Sequence, residues 1–101
     1  MEALNKIEYS RLILEIGEAA TLKEIQESYR RLCKIYHPDR ANSENKKEYE
    51  EMLKEINNAR ETIVGYLACY RYSFRKEDIY SGEVLDAEYV SQFFDGWVSK
   101  K

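Results

Sequence analysis

His37 and Asp39, held two positions apart by Pro38, are the residues of this chain whose types and spacing come closest to chemistry. An imidazole and a carboxylate so placed can form a general-base dyad, contribute to a metal site, close a simple turn, or present a donor, an acceptor and a negative charge to another macromolecule. The first use needs a nucleophile, yet no Ser or Cys in a cleft is indicated beside them, and the intervening Pro holds the two side chains divergent. The second is weak because His37 is the only histidine, and two cysteines are too few for a zinc site built from thiolates. No catalytic residue, metal or cofactor is therefore expected, which leaves recognition, with a simple turn as the serious alternative for Asp39. Cys33 and Cys69 are expected to be buried small hydrophobes in a reducing compartment rather than a disulfide.

The elements that must position this tripeptide are legible on both sides. Thr21-Leu22-Lys23-Glu24 has the Ser/Thr-x-x-Glu form that satisfies two backbone N–H groups at a helix start. From there Leu22, Ile25, Tyr29, Leu32, Cys33 and Tyr36 recur at three- and four-residue steps, and Pro38 disfavours helix at the residue before it. A helix from Thr21 to about Tyr36 follows. After a polar stretch from His37 to Asn45, a second apolar pattern runs through Tyr49, Met52, Leu53, Ile56, Ala59, Ile63 and Leu67. Two such helices joined by a short loop form an antiparallel hairpin. Gly65 is expected to close the second helix as its left-handed terminal residue. Upstream, Leu4, Ile7, Leu12, Ile13 and Leu14 predict a first helix that ends before Gly17 and lies across the hairpin. Downstream, Tyr70 to Phe74 reads as turn or short helix, and Asp86 caps a last short helix carrying Tyr89, Val90, Phe93 and Phe94, stopped by Gly96.

Winding the Thr21 helix at roughly 100° per residue puts Lys23, Arg30 and Lys34 almost opposite Ile25, Leu32 and Tyr36. Arg31 flanks this basic stripe, Glu27 interrupts it and Arg40 extends it into the loop. The chain as a whole is acidic, with 16 Lys and Arg against 19 Asp and Glu in 101 residues, so nucleic acid and anionic membrane are disfavoured partners. At this length one small globular core is expected, too small for a large cofactor site. The short, charge-interrupted apolar runs and the polar start predict a soluble cytoplasmic protein.

His37-Pro38-Asp39, preceded by Tyr29-Arg-Arg-Leu-Cys-Lys-Ile-Tyr36 and followed by Arg40, resembles the J domain of the DnaJ family of co-chaperones. Ile13-Leu14, Glu24-Ile25 and Lys54-Glu-Ile-Asn-Asn-Ala59 extend the likeness over about residues 9 to 65. The resemblance implies an all-α J-domain fold with a short first helix, the hairpin of helices two and three, and small C-terminal helices. It implies docking on a DnaK-type heat-shock chaperone and stimulation of its ATP hydrolysis, through His37, Pro38, Asp39 and Arg40 with Tyr29, Arg30, Arg31, Lys34 and Lys23. Tyr29 reads equally as core or as contact. The alternative is a J-like adaptor that binds another protein without stimulating an ATPase.

Four departures from that family pattern stand out. Glu15 occupies a position where Gly is common, Arg11 and Arg60 occupy positions that are often aromatic, and Gln26 replaces a commonly basic residue. A shifted first helix and a reduced partner affinity are the expected consequences. Arg60 projects from the apolar face of the third helix, where its guanidinium must reach solvent or a carboxylate. Residues 1–70 read as the J domain and 71–101 as a short aromatic and acidic extension. No Gly/Phe-rich linker or repeated Cys-x-x-Cys pairs follow, as in a minimal J protein. Tyr66, Tyr70, Tyr72, Phe74, Tyr80, Tyr89, Phe93, Phe94 and Trp97 either complete the core or meet a client or partner.

Overall fold

The computed structural model describes residues 2–79 and 84–91. All regular structure among them is helical: α1 (Glu2–Ile13), α2 (Leu22–Ile35), a 3-10 turn at Pro38–Arg40, α3 (Lys46–Ala68), and a second 3-10 turn at Lys76–Asp78. A further short helix spans 87–91. The chain divides into two compact units between Tyr70 and Arg71.

Thr21 starts α2 with the reciprocal bonds its sequence predicts. Its Oγ1 accepts from the Glu24 N–H at 3.0 Å, and its own N–H donates to Glu24 Oε1 at 2.8 Å. Ile25 and Leu32 on α2, Ile56, Ala59 and Ile63 on α3, and Leu14 beyond α1 form the buried core, with Ile7, Ile13, Ile16, Cys33, Met52, Leu53 and Leu67 around it. Tyr36 meets Tyr49 edge to face at 5.3 Å between centroids, and Tyr29 meets Asn57 one level higher. Residue numbers that fall on α2 as they rise on α3 make the hairpin antiparallel. α1 packs chiefly on α3, where Tyr9 Oη donates to Glu55 at 2.5 Å.

The face α1 buries differs from the expected one. Leu4 and Leu12 are exposed, whereas Ser10 is buried and Ile7 half-buried, so the helix turns its 7-10-14 row inward. Leu22, at the first turn of α2, keeps 36% of its surface in solvent. Gly65 does not close α3. The helix continues three residues to Ala68 with no positive-φ glycine, because Ile63 and Leu67 carry the packed face past Gly65 and outweigh its roughly 1 kcal/mol propensity cost. Cys69, expected buried, is exposed at the C-cap of α3 beyond the last buried turn, while Cys33 is half-buried.

α1 ends in a Schellman motif. The Ile16 N–H donates to the Arg11 carbonyl at 3.2 Å and the Glu15 N–H to that of Leu12 at 3.1 Å. This closure requires a left-handed residue, and Glu15 supplies it with φ 60°. For a non-glycine residue that conformation costs about 1 kcal/mol. Arg11 steadies the same turn by donating to the Ile16 carbonyl at 3.1 Å and pairing with Glu8 at 2.6 Å.

In the second unit, residues 71–75 form neither helix nor strand, and the helical turn comes just after them. There Asp78 Oδ2 accepts from Ser73 Oγ at 2.6 Å and from Arg75 Nε at 3.0 Å. Asp86 caps the last helix as expected, its Oδ1 accepting from the Tyr89 N–H at 2.9 Å. The expected Phe93, Phe94 and Gly96 of that helix lie outside the described residues, as do Tyr80 and Trp97.

Candidate functional site

The loop between α2 and α3 is built by proline and two local side-chain bonds. Tyr36 caps α2, and Pro38 occupies the first position of the 3-10 turn, where its missing N–H costs nothing. The Arg40 N–H donates to the His37 carbonyl at 2.9 Å and the Ala41 N–H to that of Pro38 at 3.1 Å. His37 caps this turn with its ring, Nδ1 accepting from the Asp39 N–H at 3.1 Å. The same nitrogen lies 3.7 Å from Asp39 Oδ2, but a nitrogen that accepts is unprotonated, so this approach is not an ion pair. The neutral ring then carries its proton on Nε2. This bond orients the imidazole while over half of the side chain stays open to solvent, and the Asp39 side chain is 91% exposed.

A second clamp follows. Asn42 Oδ1 accepts from the N–H groups of Glu44 and Asn45, at 2.9 and 3.0 Å, and Asn45 Oδ1 accepts from the Asn42 N–H at 2.8 Å. The loop thus enters α3 through a reciprocal asparagine pair, which the i, i+3 spacing of Asn42 and Asn45 signals in the sequence.

The basic residues are only partly gathered. Arg30 and Lys34 are exposed on α2, with Arg40 exposed on the loop beyond, whereas Lys23 is half-buried. Arg31, though exposed, is engaged: Nη1 donates to Glu15 Oε1 at 3.1 Å and Nη2 reaches Ser28 Oγ at 3.5 Å. Sequence reasoning missed the Glu15 pair because it joins residues 16 apart across the α1–α2 turn. Tyr29 sits between core and surface. Its hydroxyl donates to Asn57 Oδ1 at 2.6 Å, and the Arg60 guanidinium lies 4.5 Å over its ring. Burial pushes the Tyr29 phenol above its ordinary value, the neighbouring Cys33 thiol adds to the rise, and Arg60 opposes it. Arg60 therefore meets an aromatic face, a contact not among those expected of it. Gln26 is buried, and its Oε1 has no hydrogen-bond partner among the described residues.

The described residues contain no group of three His, Cys, Asp or Glu placed to hold a metal ion, and no helix long and apolar enough to cross a membrane. What the loop offers is an oriented imidazole, a free carboxylate and adjacent guanidinium and ammonium groups on a rigid hairpin.

The model of the DnaJ domain matches residues 12–65, more than half of the chain, and takes in α2, the loop and α3 as far as Gly65. The chain belongs to the DnaJ-domain family. As a J-domain protein it is 40% identical over 74 residues to the chaperone protein DnaJ of Finegoldia magna, a match that covers 73% of this chain and 18% of that relative. It is 55% identical over 51 residues to the chaperone protein DnaJ of Caldicellulosiruptor saccharolyticus, covering 50% of this chain and 13% of the relative. The chaperone protein DnaJ of Thermosipho melanesiensis is 49% identical over a stretch of the same length. This J-domain chain thus spans less than a fifth of the length of these relatives. No solved structure matches it.

Proposed function

We propose that this J-domain protein is a co-chaperone that docks on a DnaK-type heat-shock chaperone and stimulates its ATP hydrolysis without contributing a group to the phosphates. The observation that carries the reading is the His37 loop. One ring nitrogen is spent on the Asp39 backbone, which leaves the Asp39 carboxylate free for a partner guanidinium and Nε2 free as a donor. Arg30, Lys34 and Arg40 would meet an acidic surface, raising association rate and fixing orientation, with Arg31, Lys23 and Tyr29 at the border of the contact. Stimulation follows if the hydrolysis-competent arrangement of the chaperone is bound more tightly than the resting one. In this reading residues 1–70 dock and residues 71–101 are an extension open to a client or second partner.

The test is single-turnover ATP hydrolysis by a DnaK-type chaperone with wild-type protein, His37→Gln and Asp39→Asn. Acceleration by wild type and none by either variant is expected. The adaptor alternative draws on Phe74, which is 84% exposed in the aromatic segment. It gains the field if folded wild type fails while an established J protein activates the same preparation.

A further inference from the structure

Glu15 is disfavoured by its surroundings in two independent ways. It holds a left-handed backbone, the conformation that glycine adopts without steric cost, and it places a carboxylate at the negative end of the α1 dipole. What it gains is one exposed ion pair, 3.1 Å to Arg31, of a kind that contributes little to stability. A residue that conflicts with its local structure and is not repaid in stability points to a function of the pair itself.

Arg31 is the residue affected. Adjacent on α2, Arg30 is exposed and holds no ion pair among the described residues, as is Lys34 one turn on. Arg31 has the same chemistry, but one terminal nitrogen is directed to Glu15 on the α1–α2 turn and the other to Ser28, one turn back on α2. We propose that Glu15 is a specificity-determining residue of the docking face: it withdraws Arg31 from the α2 cations and confines the positive surface to Arg30, Lys34 and the loop. This inference rests on the docking reading above. A partner whose acidic groups lie opposite the loop is then favoured over one whose acidic patch extends toward the α1–α2 turn.

The experiment measures association rates with a DnaK-type chaperone at two salt concentrations, using the full chain. Glu15→Gln keeps the backbone conformation and removes the charge. Glu15→Gly removes charge and backbone cost together, and circular dichroism confirms that both variants fold. Glu18→Gln, an exposed carboxylate on the same connection, controls for net charge. Glu15→Gln and Glu15→Gly are expected to speed association about threefold at low salt, more than Glu18→Gln, and the gain should shrink at high salt. In an Arg31→Ala background the gain should fall to that of the Glu18 control. An unchanged rate for both Glu15 variants, or an equal gain without Arg31, overturns the proposal. Failure of wild type to bind where an established J protein binds overturns the docking reading and this inference with it.

Discussion

The Arg60 guanidinium lies 4.5 Å from the centroid of the Tyr29 ring, whose hydroxyl donates to Asn57 on the same helix. One tyrosine of α2 is thereby fastened to α3 by its face and by its edge. The pairing bears on two readings of the sequence together. Tyr29 is neither wholly core nor wholly free surface, and its aromatic quadrupole faces the Arg60 charge on an otherwise apolar helix face. This contact lies about two helical turns up the hairpin from the Tyr36–Tyr49 contact at its loop end.

Removing either member should loosen the hairpin without unfolding it. Arg60→Ala is expected to cost about 1 kcal/mol through the lost cation–π contact and stem packing. Tyr29→Phe, which keeps the ring and loses the bond to Asn57, should cost about 1 kcal/mol as well. Urea unfolding of each single variant and of the pair checks this. Additive losses would mean that ring face and hydroxyl act independently, and a cost near zero for Arg60→Ala would remove the cation–π contact from the account.

Alkaline pH should expose the same residue. The folded state raises the Tyr29 phenol above its ordinary value, burial being the main cause. The neutral phenol is thus favoured in the fold, so this contribution to stability is complete below the unfolded value near 10 and is lost as pH rises through the raised folded value. Wild type should therefore lose stability more steeply than Tyr29→Phe above about pH 10. Parallel slopes in urea unfolding across that range would refute the assignment.

The hairpin was legible because its signals are local: a capping box at Thr21, a three-and-four spacing on each helix, and a proline just past the end of α2. The His37-Pro38-Asp39 tripeptide could be placed for the same reason. Pairings between distant residues could not. Glu15 with Arg31, Tyr9 with Glu55 and Tyr29 with Asn57 join positions that no period connects. Gly65 shows the opposite failure, a local rule overruled by packing on either side of it. In α1 the apolar letters misled, since the buried row runs through Ser10 while Leu4 and Leu12 face water.

Gly65 offers a simple stabilising change. It is exposed in the helical stretch of α3, its φ is not positive, and a Cβ built there meets nothing within 4 Å. Gly65→Ala should raise stability by about 0.5–1 kcal/mol by lowering backbone entropy in the unfolded chain. For a domain of this size the midpoint of thermal unfolding should rise by roughly 4 °C. A fall instead would show that α3 ends at Gly65 in solution.

The last prediction concerns the tautomer of His37. If Nδ1 accepts from the Asp39 N–H, long-range proton–nitrogen correlation at neutral pH must show the proton of the neutral ring on Nε2. Asp39→Asn keeps the backbone N–H, so the tautomer should survive and stability should stay within about 0.5 kcal/mol, since the side chain is almost fully exposed. Loss of ATPase stimulation in this variant would then be a loss of the carboxylate itself. His37→Gln differs, because it removes the ring that caps the turn; the Asp39 amide should exchange faster with solvent while the amides of α2 and α3 do not. A proton found on Nδ1 would mean that the ring does not cap the turn and that Asp39, held at 3.7 Å, is an ion-pair partner rather than a free carboxylate.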